Sequence, residues 1–313
     1  MQLDVAVARA VGARFGLWFA HDKRGFGACA LAVVFVASLC ACDRTSSGTV
    51  DAAATPKDSA IDAGDSDGGV QCVPLPASFE TVATPPASPP FGNTVWFDPD
   101  IITASDPTSF VGVTYGGTGP RVMFDRRTGA FATYNAHLFA ARFGAGVQVE
   151  VQVNPELSQT EAEEKAIEYA TVIGRIPPFL FADLRTVWIH RGNHPFGGGN
   201  NNLLIHTEQG DDYVRDGVLE EVFVHEGTHT SIDGRYASDP NWRAAQQADG
   251  VAISPYAMEF PAREDLAETM GPYLAIRFRP ERLDAGVVQT FAAALPNRLR
   301  YLDCLALSFA LPP

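Results

Sequence analysis

Lysine is almost missing from this 313-residue chain: Lys23, Lys57 and Lys165 are the whole set, so nearly all positive charge is arginine. Basic residues number 23 against 37 acidic ones, a net charge of −14 at pH 7. A nucleic-acid-binding surface needs a basic patch, and this balance excludes that class of partner. Cysteine is also scarce. Cys29, Cys40, Cys42, Cys72 and Cys304 are too few for a disulfide-built scaffold and lack zinc-ribbon spacing. No apolar run reaches the roughly 20 residues that a membrane-spanning helix needs. What the chain does have is 46% apolar and 19% charged residues. That is the range of a folded protein, and it excludes wholesale disorder.

The most apolar run, Phe26 to Cys42 (FGACALAVVFVASLCAC), follows Asp22-Lys23-Arg24. A short apolar stretch behind a basic patch reads as the core of a secretory leader. It ends Leu39-Cys40-Ala41-Cys42, which resembles a bacterial lipobox, and Cys42 suits lipidation because the small Ala41 precedes it. The expectation is a lipoprotein signal peptide over 1–41 and a chain anchored to a membrane by lipid on Cys42. That places the protein in a bacterial cell envelope, periplasmic or outer-surface, or among secreted proteins. Removal of 1–41 leaves 19 basic and 35 acidic residues, a net of −16.

Residues 42–90 are rich in Ala, Ser, Thr, Asp, Gly and Pro, with few large apolar side chains. Such a segment cannot bury enough surface to offset the entropy of ordering it, so it reads as a flexible acidic tether. Apolar density rises at Val95-Trp96-Phe97, and residues 91–313 are long enough for one core. Within them, strands are expected at 121–124, 137–143, 148–153, 184–190 and 203–206. Ser158 and Glu161 form a capping-box pattern opening a helix that runs to about Ile173. A glycine–asparagine loop follows at 197–202. Helices are expected at about 217–232, 240–248, 261–278, 281–294 and 297–307. Strands early and helices late make this an α+β domain, with a mixed sheet in its N-terminal part.

The chemistry-bearing motif is Val224-His225-Glu226-Gly227-Thr228-His229. On a helix, residues four apart share a face, so both imidazoles can reach one Zn2+. Glu226 is set at the adjacent angle, suited to take a proton from a zinc-bound water. Zinc then needs a third protein ligand. An extended motif would place Gly at 232 and His or Asp at 235; the chain has Ile232 and Arg235, which excludes that class. Glu264-Asp265-Leu266-Ala267-Glu268 offers two carboxylates one turn apart, with Pro261 as a favourable first helical residue. One can bind the metal and the other can accept the free N–H of a ligand histidine.

At these residues the chain resembles the gluzincin metallopeptidases, which take two ligands from His-Glu-x-x-His and a glutamate from a later helix. The likeness is greatest to the anthrax lethal-factor-like branch, through HEGTHTSID and through Ser254-Pro255-Tyr256-Ala257 ahead of the glutamate pair. It spans about 50 residues, from Glu220 to Met270. The resemblance implies a zincin-like catalytic domain over 91–313. It makes His225, His229 and Glu264 the zinc ligands, Glu226 the general base and Tyr256 the residue that polarises the carbonyl. Glu268 and Asp233 would support the ligands from behind.

It also implies an edge strand beside the metal, with which an extended substrate pairs by β-addition. Asn202, Leu203 and Leu204 are expected there, and Gly197-Gly198-Gly199 would let backbone approach the cleft. His190, His194 and His206 are expected to be non-ligands. Cys72 and Cys304 remain after processing at Cys42, and in an oxidising compartment they can form one bridge or stay as thiols. The function expected is a surface-anchored zinc metalloendopeptidase, a monomer acting on a peptide or protein substrate. The alternative is a non-catalytic zincin-like surface lipoprotein that serves as a binding or scaffold module.

Overall fold

The computed structural model describes residues 78–92, 101–305 and 307. The leader, Cys42, Cys72 and Val95–Phe97 lie outside the described residues. A long antiparallel hairpin comes first: β1 (Phe110–Asp125) and β2 (Ala130–Phe143). β1 starts earlier than the expected 121, because Gly112, Gly116, Gly117, Gly119 and Pro120 interrupt the apolar alternation without ending the pairing. A register shift between Tyr115 and Thr118, where Gly117 takes φ +92°, kinks the hairpin there.

β3 (Gln148–Val153) pairs antiparallel with β2; β4 (Thr186–His190) pairs parallel with β3. β6 (Asn202–His206) pairs parallel with β4, and β5 (Gly197–Gly199) closes the sheet antiparallel to β6. The order is β1-β2-β3-β4-β6-β5. The sheet is therefore mixed, and with the helices described below the architecture is α+β. Asn202, Leu203 and Leu204 are thus not on an edge. They lie inside the sheet and are buried, and the edge belongs to Gly197–Gly199.

Helix α1 (Gln159–Ile173) starts with the capping box that its sequence announced: Ser158 Oγ accepts from the Glu161 N–H, and Glu161 Oε2 accepts from the Ser158 N–H. Its apolar face covers one side of the sheet, where Val149, Val151, Val153, Val187, Ile189, Leu203 and Ile205 are buried. The opposite side is partly roofed by the hairpin's outer half, which has no third strand beyond the His137–Val153 pair. Arg121 bonds both Glu150 oxygens at 2.8 Å, and the Phe131 ring meets Trp188 at 6.1 Å.

The remaining helices are α2 (Thr207–Asp216), α3 (Leu219–Ser231), the single turn α4 (Asp233–Tyr236), α5 (Pro240–Asp249), α6 (Pro255–Glu259), α7 (Asp265–Phe278), α8 (Ala285–Ala294) and α9 (Pro296–Asp303). Among the described residues no helix is long and apolar enough to cross a membrane. Helix α2 is absent from the sequence-based expectation, and Gly217 ends it in the left-handed region (φ +68°) rather than opening α3.

The expected tether boundary at 90 also shifts. Residues 78–92 form no helix or strand, yet they are strapped to the domain. Val82 N–H donates to Ala248 O at 2.8 Å, Asn297 Nδ2 donates to Glu80 O at 2.8 Å, and Phe91 stacks on Phe291 at 4.9 Å.

Candidate metal centre

Helix α3 is held by apolar residues on most of its girth: Leu219, Val222, Phe223 and Val224 are all buried. Glu220 and Glu221 in its first turn suit the positive end of the helix dipole and are further tied, Glu220 to Arg175 at 2.9 Å and Glu221 to the Ile101 N–H at 3.0 Å. One face is left for His225 and His229, whose ring centres stand 4.8 Å apart.

Glu264 arrives from the turn before α7. The expected helix start at Pro261 is not observed. Arg243 and Gln246 of α5 hold the Pro261 carbonyl at 3.1 and 2.8 Å, and the helix begins at Asp265. The one-turn relation survives, because Glu268 N–H donates to Glu264 O at 2.8 Å. Three donor atoms converge. His229 Nε2 lies 3.1 Å from His225 Nε2 and 3.1 Å from Glu264 Oε2, and His225 Nε2 lies 3.5 Å from the same oxygen. Together these groups could hold a metal ion.

Each imidazole is gripped from behind. Asp233 Oδ2 sits 2.6 Å from His229 Nδ1, and Glu268 Oε1 sits 3.4 Å from His225 Nδ1. The second carboxylate is itself aimed by a buried hydroxyl: Ser254 Oγ donates to Glu268 Oε2 at 2.7 Å while accepting the Ala257 N–H that opens α6. Arg263 Nε bonds Glu264 Oε1 at 2.9 Å, so only Oε2 faces the histidines. The sequence assigns no role to Ser254, which it offers only as part of the stretch before the glutamate pair, or to Arg263. Ser254-Pro255 is a helix-start signature, but nothing local tells that its hydroxyl reaches across to Glu268.

The electrostatics share one theme. Burial disfavours charge on His229, yet bonds to Asp233 and Glu264 outweigh it and hold its pKa up to about 10. Burial likewise pushes the Glu264 carboxyl up, but His225 and His229 outweigh it and keep the group well below the usual carboxylate range. Both shifts favour positive charge at the centre of the cluster, which is what a cation supplies. Tyr256 stands at the rim, 37% exposed. Burial and the Glu264 charge raise its hydroxyl to about 12, so it stays protonated.

No protein-family model, no curated protein and no solved structure matches the chain. The site therefore has to be read from its own geometry. Glu226 is half-buried on α3 beside the two histidines. Over its backbone runs the edge strand β5. A Cβ on Gly198 would collide with the Glu226 carbonyl, so only glycine permits this approach. Thr230 locks the two together: its single hydroxyl proton is shared between Glu226 O at 2.9 Å and Asn202 O at 3.0 Å, and its Oγ1 accepts the Gly199 N–H at 3.1 Å. The loop joining β5 to β6 is Asn200-Asn201, with φ +50° and +60°. That is the two-residue hairpin turn whose positive φ values asparagine tolerates. Gly199 and Asn202 close the turn, so the main-chain groups of Gly198 point to the open edge.

His190, His194 and His206 sit elsewhere, at the far ends of β4 and β6. Cys304 is half-buried just after α9, and its proposed partner Cys72 lies outside the described residues.

Proposed function

We propose that this chain is a zinc-dependent metalloendopeptidase of gluzincin type, with a zincin-like domain and His225, His229 and Glu264 as zinc ligands. The observation that carries the reading is the convergence of two Nε2 atoms and one carboxylate oxygen whose other sides are already occupied. Bonds of about 2.0–2.2 Å in a tetrahedron separate ligand atoms by roughly 3.3 Å. The three spacings of 3.1, 3.1 and 3.5 Å bracket that value. Both Nδ1 atoms face carboxylates, the arrangement that fixes the tautomer and orientation of ligand imidazoles.

When bound there, zinc polarises a substrate carbonyl and lowers the pKa of a water towards neutrality. The chain's own groups do the rest. The Glu226 carboxylate takes a proton from the attacking water as its oxygen bonds to the carbonyl carbon, and hands it to the amine nitrogen as the C–N bond breaks. The Tyr256 hydroxyl, protonated and at the rim, donates to the oxygen on which negative charge develops. The outward N–H and C=O of Gly198 pair with the substrate backbone and hold it extended beside Glu226. In this reading Cys42 carries the lipid that anchors the protein in a cell envelope.

Metal analysis joined to proteolysis tests it. Wild type should carry one zinc and cleave denatured casein. Glu226→Gln should keep the zinc and lose about 10²-fold or more in rate. Glu264→Ala should lose the zinc. A wild type without zinc would end the metalloenzyme reading. Bound zinc with equal, absent cleavage in wild type and Glu226→Gln would favour a binding module.

A further inference from the structure

Resting on the reading of β5 as the strand that a peptide substrate joins, a second feature of that edge bears on what the peptide must contain. Arg126, in the tip of the β1–β2 hairpin, is brought over the sheet to the start of β5. Its Nη2 donates to Phe196 O at 2.8 Å, and a Cβ on Gly197 would stand 2.7 Å from the same nitrogen. Gly197 and Gly198 are successive residues of an extended strand, so their side-chain directions are opposite. Gly198 turns towards the Glu226 backbone, and Gly197 turns towards Arg126. The guanidinium is thus one residue along the edge strand from the catalytic helix. It sits on the sheet face away from that helix.

Most charge around this tip is already matched: the neighbouring Arg127 bonds both Asp125 and Glu156 at 2.7–2.8 Å. Arg126 differs. It is exposed, and among the described residues no carboxylate pairs with it. The bond to the Phe196 carbonyl oxygen uses one of five N–H donors and leaves the planar fork open. In a chain with 37 acidic and 23 basic residues, an uncommitted guanidinium beside the open edge strand is a specific attraction for a carboxylate.

We propose that Arg126 is a specificity-determining residue that selects substrates carrying a carboxylate. A strand paired with β5 projects every second side chain onto the face where Arg126 stands. The shared chemistry is a carboxylate next to the residues paired with Gly197 and Gly198. It is supplied either by an Asp or Glu side chain or by the free C-terminus of a short peptide.

The test is peptide binding to the zinc-loaded Glu226→Gln protein, with fluorescently labelled peptide arrays that vary one position at a time and end in either a free acid or an amide. Asp or Glu at one fixed position, or the free terminus, should improve binding about three- to tenfold over Ala or amide. Arg126→Ala and Arg126→Gln should both erase the difference. Arg126→Lys keeps the charge, so loss in Ala and Gln with the preference retained in Lys assigns the effect to charge rather than to support of the strand. Arg126→Glu should turn the preference towards Lys or Arg. A preference for the side chain alone, or for the terminus alone, identifies the source. Binding without any carboxylate preference, a preference that survives in Arg126→Ala, or no binding of any peptide would overturn the proposal. Wild type should then cleave the peptides that bind. If it fails to cleave them while the Arg126-dependent preference stands, the peptidase reading falls and the recognition site remains.

Discussion

Gly198 lies so close to Glu226 that its α-carbon has no room for a methyl group: a Cβ there would be 2.9 Å from the Glu226 α-carbon and closer still to its carbonyl. Strand β5 and helix α3 therefore touch through bare backbone. Gly198→Ala should push β5 off α3. We expect the activity on peptides to fall about tenfold or more, because misplacement of about 1 Å costs rate steeply, and the stability to drop by roughly 1–3 kcal/mol. Zinc content should not change, since no ligand is on β5. Unaltered cleavage in a folded Gly198→Ala protein would remove β5 from the substrate path.

The carboxylates behind the imidazoles are expected to tune metal affinity. Asp233→Asn weakens the 2.6 Å partner of His229, and Glu268→Gln weakens the 3.4 Å partner of His225. Zinc affinity, measured by competition with a chromophoric chelator, should fall about 10–100-fold in each. Ser254→Ala should produce a smaller fall in the same direction, because it frees the Glu268 carboxylate to turn. Wild-type affinity in both carboxylate variants would show that these contacts do not support the ligands.

Arg298 of α9 is buried between two buried acids, bonding Asp249 Oδ2 at 3.0 Å and Asp265 Oδ2 at 2.9 Å. Asp265 directly follows Glu264, so α9 helps to set the turn that brings Glu264 to the two histidines. Arg298→Ala leaves both carboxylates buried without their cation, at a cost of about 3–5 kcal/mol in unfolding free energy. Urea unfolding measures this. A loss below about 1 kcal/mol would mean that water replaces the guanidinium freely.

Acid should destabilise the sheet through His190 and His206. Both are fully buried. His190 Nδ1 accepts from Asn154 Nδ2 at 2.9 Å, because Asn154 Oδ1 already takes the Glu156 N–H. Around it stand Asp125, Arg127, Glu156, Tyr134 and His206. Burial holds its pKa down to about 4 against the Asp125 charge, and burial also lowers His206. The unfolded chain takes up its proton near pH 6.5, and the folded chain does so only near 4. Stability therefore drains as pH falls through that window, by roughly 3 kcal/mol from His190. His190→Gln should flatten the profile of unfolding free energy against pH. An unchanged slope in that variant would assign the acid sensitivity to other groups.

How much of this was legible in the sequence depended on whether a local signal existed. The capping box at Ser158 and Glu161 and the apolar stripe of α3 are local, and both elements stand where their residues announced them. Helix α2 (TEQGDDYVRD) carries almost no apolar stripe. Only Thr207 and Gly210 in it are buried, and Gly210 is seated against the Tyr169 hydroxyl. Strand β5 is three glycines with no alternating side chains to read, and its hairpin rests on two asparagines in the left-handed region. That displaced the expected edge from 197–199 to 202–204. The partners of Glu264 and Glu268 are long-range contacts that no spacing rule contains. Arg126 meets Phe196 across 70 residues.

The strap at residues 78–92 changes how this protein should be produced. Composition suggests starting a recombinant chain at Phe91, which would discard Phe79, Glu80 and Val82. Phe79 packs on the core, the Glu80 carbonyl receives Asn297, and Val82 caps the Ala248 carbonyl. Phe91 N–H reaches Ile253 O at 3.3 Å, next to the serine that aims Glu268. A chain trimmed at 91 would expose the end of α5 and loosen the neighbourhood of the candidate metal cluster. It would invite the conclusion that the site is inactive when only its brace had been cut away.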